Sequence, residues 1–578
     1  MFRACARLRP HHFGTSAHRQ AALPLDRPRG ESATAVAFRG LSTLLAAAAV
    51  FVLGGCQAAP VATAGTAAAS PAASQLAGLD AAARARPVAF LDRLGWGADA
   101  AQLRELRSVG ATRWLDSQLQ APATPALPEG LGPLLAGLPV NAPLQQWVPS
   151  MVVEQRRARM RSRALAASDP AAAQAPLRMA RERQNLLARQ AMEQQVLLDV
   201  YAPNQLQQRL SWFWMNHFNV FRAGFVGAMT ADYAQRVIAP RALGHFRDLL
   251  RATMFSPQML LYLNNAQNAR GHINENYARE VMELHTLGVG AGYTQADVTR
   301  LAHVLTGLGV DLPDRPVRVR PALRGLVWRD GLVVFNPARH DPDPQVVLDH
   351  TLQGRGVQEI EQVVALLADD PATARHVCFE LAQYFVADHP DPAMLAAMVR
   401  TWQRSDGDIA SVLRTMFTSP QFIASLGQPQ FKDPMRYVLS ALRASVGDRV
   451  IRNPRPILGM LARLGEPLDG RSTPDGYPVD GGSWDSPGQL TTRFQIARQL
   501  GAGAPALFGP PPPELGGADM AASPRPARRG AVPELAASAV FRAAEPSLRP
   551  ATAAALAQVG RRVRWNSLWL ASPDFMND

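Results

Sequence analysis

Asn276-Tyr-Ala-Arg-Glu-Val-Met-Glu-Leu-His-Thr-Leu-Gly288 and, after a short turn, Gly292-Tyr-Thr-Gln-Ala-Asp-Val-Thr-Arg-Leu-Ala-His-Val-Leu-Thr-Gly307 read as two short helices around a glycine-rich turn. With Tyr277 at zero on a wheel of about 100° per residue, Val281 and Leu284 fall at about 40° and about 340°, and Leu287 at about 280°. Glu280 falls at about 300°, inside that apolar face, while His285 falls at about 80°, on its far edge. Glu283 lies beside Arg279, so an Arg279–Glu283 pair four residues apart is expected. Thr294-Gln-Ala-Asp297 has the form of a capping box that starts the second helix. His303 leaves that helix's Val298-Leu301-Ala302-Leu305 face and is expected to be exposed or at an interface.

The same period governs most of the chain. Leu206, Leu210, Trp214, His217 and Phe221 share one stripe after Asn204, so His217 sits on an apolar face as a hydrogen-bonded core histidine, with ligand or base as the alternative. Ser256-Pro257, Ser419-Pro420 and Ser572-Pro573 each pair a capping serine with a proline suited to the first helical turn. Residues 311–336 carry the one pattern that suits a small β-hairpin. The expected fold is mostly α, a large multi-helix globular domain.

The body is expected at 86–502, with an arginine-rich insert at 154–190. A Pro/Ala-rich mobile segment at 503–548 and a packed C-terminal helix at 549–578 would follow it. In the insert, Glu154-Gln-Arg-Arg-Ala-Arg-Met-Arg-Ser-Arg163 and the run from Arg178 to Arg189 read as solvated helix faces. Anionic lipid headgroups or polysaccharide are their functional alternative.

Ahead of the body, Arg39 precedes an apolar run from Leu41 to Leu53 that ends Leu53-Gly54-Gly55-Cys56. A charged start, a short apolar run and small residues are the parts of a secretory signal, too short for a spanning helix of about 20 residues. The cysteine stands as in a bacterial lipobox, so residues 1–55 are expected to be removed and Cys56 lipidated. Residues 56–85 then form a flexible tether. Gln57 after that cysteine favours the outer membrane. Residues 1–35 are polar and precede a complete signal, so translation is expected to begin near Val36.

Loss of 1–55 removes seven arginines and two acids, and the formal charge falls from +13 to +8. Lys432 is the only lysine, so the basicity reflects arginine usage more than an anion-binding design. Cys378 would be left as the only free thiol, which excludes an intramolecular disulfide in the mature chain. It is expected to be a small buried hydrophobe. Export makes nucleic acid an unsuitable partner.

Trp212-Phe-Trp-Met-Asn-His-Phe218, the 276–288 and 292–298 stretches, His340-Asp341 and Ser405-Asp-Gly-Asp408 together resemble the bacterial family known as "domain of unknown function 1800", from about Phe90 to Phe575. The resemblance implies an exported protein. It carries no activity.

Two functions are therefore open. One is an envelope lipoprotein, membrane-bound through Cys56, that binds or helps assemble extracytoplasmic polymers or partner proteins, an envelope protein or a polysaccharide. The other is a metal-assisted hydrolase that draws divalent-metal ligands from His217, Glu280, His285, His340 and Asp341, with Glu280 and His285 as acid/base residues. No compact ligand motif supports the second. Glu280 and His285 stand about 140° apart, too far round one helix to share an ion.

Overall fold

Helix starts are written into this chain at Ser-Pro and Asp-Pro steps. The computed structural model describes residues 71–578 apart from 123–126, 130, 136, 514 and 516–530. In it, the Ser256, Ser419 and Ser572 side chains each accept the backbone N–H three residues on. Ser486, Asp370, Asp391 and Asp433 do the same work ahead of their own prolines. Each oxygen satisfies a donor that the first helical turn leaves open, and each proline omits one.

The result is mostly α. The strands are confined to two small sheets. In the first, β1 (Leu308–Val310) and β2 (Trp328–Asp330) flank β3 (Val333–Phe335), all antiparallel. In the second, β4 (Gln345–Val347) pairs with β5 (His350–Leu352). The single hairpin expected at 311–336 is thus β2–β3, extended by β1, and a second hairpin follows it.

Three boundaries move. The helix Pro71–Ala85 buries Leu79 and Ala83, so the body begins inside the expected tether. Within 503–548, the helix Ala539–Ala544 buries Val540 and Phe541, and the Phe541 ring packs edge-on against Trp565 and Trp569. The single C-terminal helix becomes three: Pro550–Ala557, Arg562–Leu570 and Pro573–Met576. The leader, the lipobox-like run with Cys56, the first part of the tether and residues 516–530 lie outside the described residues. Among the described residues, no helix is long and apolar enough to cross a membrane.

An early helix of the described body meets the C-terminal residues through charge. Residues 576–578 pair antiparallel with 430–432, and Gln430 and Asp578 exchange both backbone hydrogen bonds. Arg93, from the helix Pro87–Leu94, donates to the carbonyls of Val386, Gln428 and Asp578. Its Nε lies 3.2 Å from the Asp578 carboxylate, and Arg436 lies 3.7 Å from the same oxygen. These are charge contacts rather than aligned hydrogen bonds, since both Asp578 oxygens lack a well-directed donor. Lys432, likewise buried, is 2.7 Å from Asp92.

Candidate functional site

The helix Gln205–His217 carries the Trp-Phe-Trp-Met-Asn-His motif and is buried along almost its whole length. One face holds a histidine cluster and the other a polar cavity.

On the first face His217 Nδ1 lies 2.7 Å from Glu380 Oε2, and its Nε2 lies 3.2 Å from the carbonyl oxygen of His285. Both ring nitrogens face acceptors, so full hydrogen bonding takes two ring protons. Burial works against the Glu380 charge, but His217, and behind it His376, holds its carboxyl below the usual range. His376 stands one turn before Glu380 on the helix Pro371–Phe385 and points its Nε2 at the Leu284 carbonyl, 3.2 Å away. His285, 1 % exposed, is kept neutral by burial and by its two histidine neighbours, and its Nε2 has no partner. The ring centroids of His217 and His285 are 6.1 Å apart.

This cluster braces the 284–288 turn against two helices. Its two histidines nearest the core are buried, while His376 and Glu380 stay partly exposed. Sequence reasoning placed His217 correctly on a core face with its hydrogen bonds made, but missed Glu380 and His376. Their signal was present: a histidine and a glutamate four apart around Cys378. Burial pushes that thiol up to about 12, so it is a buried hydrophobe as expected.

The other proposed site residues go elsewhere. Glu280 is half-buried and faces other anions: burial first, then Glu283 and Asp475, raises its carboxyl. Arg279 does not pair with Glu283. It turns back to Glu275 at 3.3 Å and to Gln295, because the capped start of the next helix offers a closer acceptor. Glu283 instead takes the Tyr293 hydroxyl. Thr294 and Asp297 do form the capping box.

His303 is paired as well as partly exposed, with its Nδ1 2.6 Å from Asp341. His340 and Asp341 turn to different partners. His340 Nδ1 meets the Thr306 hydroxyl and carbonyl, and its Nε2 lies 2.8 Å from the buried Glu359. The structure therefore brings His217 and His285 together, gives His340 and Asp341 partners of their own, and sets Glu280 beside Glu283 and Asp475. Among the described residues, no group of three or more His, Cys, Asp or Glu is arranged to hold a metal ion.

The second face of the motif helix is where chemistry is left open. Asn216 brackets the backbone of Tyr477: its Oδ1 accepts the Tyr477 N–H at 2.7 Å and its Nδ2 donates to the Tyr477 carbonyl at 2.8 Å. Asn219 donates to the carbonyls of Arg471 and Thr473. These two amides lay residues 466–477 over the helix. Gly476 sits at φ +69°, and a Cβ there would collide with the Asn216 carbonyl, so the bracket requires glycine.

Beneath the 466–477 segment is a cavity of about 50 Å³. Gln194, Ser211, Trp212, Glu466 and Asp469 are among the residues that line it. The Gln194 Oε1, Ser211 Oγ and Glu466 Oε1 atoms are buried without a protein partner. Burial, reinforced by Asp433, lifts the Glu466 carboxyl well above its ordinary value. Its Oε2 accepts the Met435 N–H. Burial raises Asp469 to about 6 against the pull of Arg222. A π-helical turn, Tyr233–Ile238, supplies Ala234 and Gln235 to the wall.

Behind the wall the amides run on as a relay. Gln235 donates to Gln195, Gln195 donates to Asp199, and the Trp96 indole donates to the same Asp199 oxygen. Burial raises Asp199 to about 8. An acid whose folded value is raised contributes stability at low pH that is lost as pH climbs from 3.8 to about 8. Asp199→Asn mimics the protonated form. It is expected to add about 1–2 kcal/mol at pH 8 and to flatten that pH dependence, read by urea unfolding from pH 5 to 9. A variant less stable than the parent at pH 8 would show that the carboxylate is needed charged.

Residues 89–577 match the family model described as "Protein of unknown function (DUF1800)". No curated protein and no solved structure matches the chain.

Proposed function

We propose that this chain, which belongs to the DUF1800 family, is an envelope lipoprotein that holds a hydroxyl-rich ligand, a saccharide segment of an extracytoplasmic polymer, in the cavity beneath residues 466–477. The reading rests on one observation: three buried polar atoms on that cavity, Gln194 Oε1, Ser211 Oγ and Glu466 Oε1, have no partner within the protein. Buried polar groups are otherwise almost always satisfied, and leaving one unpaired costs about 1–3 kcal/mol. Gln194 offers an acceptor, protonated Glu466 a donor and Ser211 either. A sugar hydroxyl both donates and accepts, so it answers all three. Asp469, whose value of about 6 leaves it mostly charged at neutral pH, disfavours anions. Trp212, Met192 and Met215 supply apolar wall for the C–H faces of a ring.

At about 12 Å³ per water, the cavity has room for roughly four waters, which the hydroxyls of a sugar would displace. Attachment through Cys56 would place the cavity outside the cytoplasm, where such polymers are. That part follows from the Leu53-Gly-Gly-Cys56 run.

The test is calorimetric titration with maltotriose, cellotriose and chitotriose, with tryptophan fluorescence as a second readout of Trp212. At least one is expected to bind, and Ser211→Ala or Gln194→Leu should weaken it about 10-fold each, or about 1.4 kcal/mol. Neither change should lower the unfolding midpoint, because each removes an unpaired group. Absence of heat and of a fluorescence change at about 10 mM of every sugar, a free energy weaker than about −3 kcal/mol, would end the proposal.

A further inference from the structure

The arginine-rich insert forms an arm that leaves the body. Its first helix, Leu144–Leu165, has 22 residues and is about 33 Å long. Beyond Met151, Ala158 is its only buried residue. The second helix, Ala175–Tyr201, is buried only from Gln184 onward. Between residues 153 and 189 the arm carries nine arginines and three acids. Glu154 pairs with Arg183 across the hairpin. A helix that is polar all round is usually stabilised by many opposite-charge pairs at four-residue spacing. This one is not: its arginines repel one another and call for an outside anion.

The charge is ordered. With Arg156 at zero on the wheel, Arg163 lies at about 340°, Met160 at about 40°, Val153 at about 60°, Arg157 at about 100° and Arg159 at about 300°. Ala158, on the seam with the second helix, lies at about 200°, so this stripe faces away from the hairpin. Glu154 falls at about 160°, outside it. The stripe is thus two apolar side chains rimmed by four arginines and no acid. Met160 is 63 % exposed and Val153 46 % exposed.

We infer that this face of the first arm helix docks on an anionic phospholipid surface. The arginines meet the headgroup phosphates, and Met160 and Val153 enter the boundary between headgroups and acyl chains. A stripe of this kind suits a helix that lies in the plane of the membrane interface. An acidic polysaccharide would answer the arginines but has no apolar layer for Met160. The contact is a second hold on the membrane, separate from the acyl chain proposed at Cys56, and it fixes which side of the body faces the lipid.

The test uses the mature chain from residue 56 to Asp578 carrying Cys56→Ser, so that no acyl chain contributes. It is sedimented with phosphatidylcholine vesicles and with vesicles containing about one quarter phosphatidylglycerol, whose charge is what the arm reads. Binding is expected only to the anionic vesicles and is lost in high salt. The combined change Arg156→Gln, Arg157→Gln, Arg159→Gln and Arg163→Gln should cut partitioning about 100-fold or more. Met160→Gln, which leaves the charge alone, should cut it several-fold. Circular dichroism and the unfolding midpoint should stay at the parent values, as these side chains face solvent. Equal binding to neutral vesicles, or undiminished binding by the four-site variant, overturns the proposal. So does an unaffected Met160→Gln variant that dextran sulfate strips from the vesicles, which would make the arm a general polyanion binder.

Discussion

Asp578→Asn is expected to lower the stability of the folded body by about 3–5 kcal/mol, the range found when one partner of a buried ion pair is removed. The Asp578 side chain is fully buried between Arg93 and Arg436. Arg436 keeps a second carboxylate, Asp433 at 2.8 Å, but Asp578 is the only acid in ion-pair contact with Arg93 among the described residues. Burial already draws the Arg93 guanidinium down to about 10 with its counter-charge in place. An amide at 578 would leave that charge among carbonyls, Arg436 and Arg209, with the weaker pull of Asp92 in its favour.

The pH dependence has a fixed sign. Burial opposes the Asp578 charge, yet Arg436 and Arg93, with Arg209 and Lys432 behind them, hold its carboxyl below 3.8. A depressed acid contributes stability that is fully present above its ordinary value and is lost as pH falls through the lower folded one. The parent and variant urea curves should therefore lie farthest apart at neutral pH and converge in acid, as pH falls below 3.8. An unchanged midpoint at pH 7 would show that the C-terminal residues are not part of the cooperative unit.

His217→Ala is the second large effect, expected to cost about 3 kcal/mol. It opens a void among Phe213, Phe218 and His285, whose rings pack around the imidazole. It also leaves Glu380 without its closest partner and the His285 carbonyl without a donor. Glu380→Gln should cost less, about 1–2 kcal/mol, because its side chain is 29 % exposed and water can replace part of what is lost. In a double-mutant cycle the pair should fall short of additivity by about 1 kcal/mol or more. Additive losses would mean that the two side chains pack independently, and that the contact between them carries no energy of its own. The depressed Glu380 carboxyl sets the sign here too: the coupling should be full above 4.5 and fade in acid.

How far the sequence could be read depended on the range of the interaction. The helix starts at Ser256, Ser419 and Ser572 and the Thr294–Asp297 capping box were legible, because a cap is complete within four residues. The core position of His217 was legible from its stripe. Arg279 was misassigned although the distance was short: Glu275 and Glu283 are both four residues away, and only the packing of the next helix, which supplies Gln295, favours one. Glu280 was read as aimed into the core, but the half-buried carboxylate meets the acidic edge formed with Glu283 and Asp475. The cavity was invisible. Its walls come from residues 191–195, 208–219, 230–239 and 466–477, and each segment taken alone looks like ordinary helix or loop.

The sequence by itself determined a mostly helical chain, where many of its helices begin, its family resemblance and its core-facing histidine. The tertiary structure decided the partners: Glu380 for His217 across 163 residues, Asp578 for Arg93 across 485, and none for Gln194, Ser211 and Glu466. The reason is physical. Helix periodicity and caps are set by backbone geometry and near neighbours, so they are written locally. A buried polar group is satisfied by whatever surface packing brings to it, and that surface is written elsewhere in the chain.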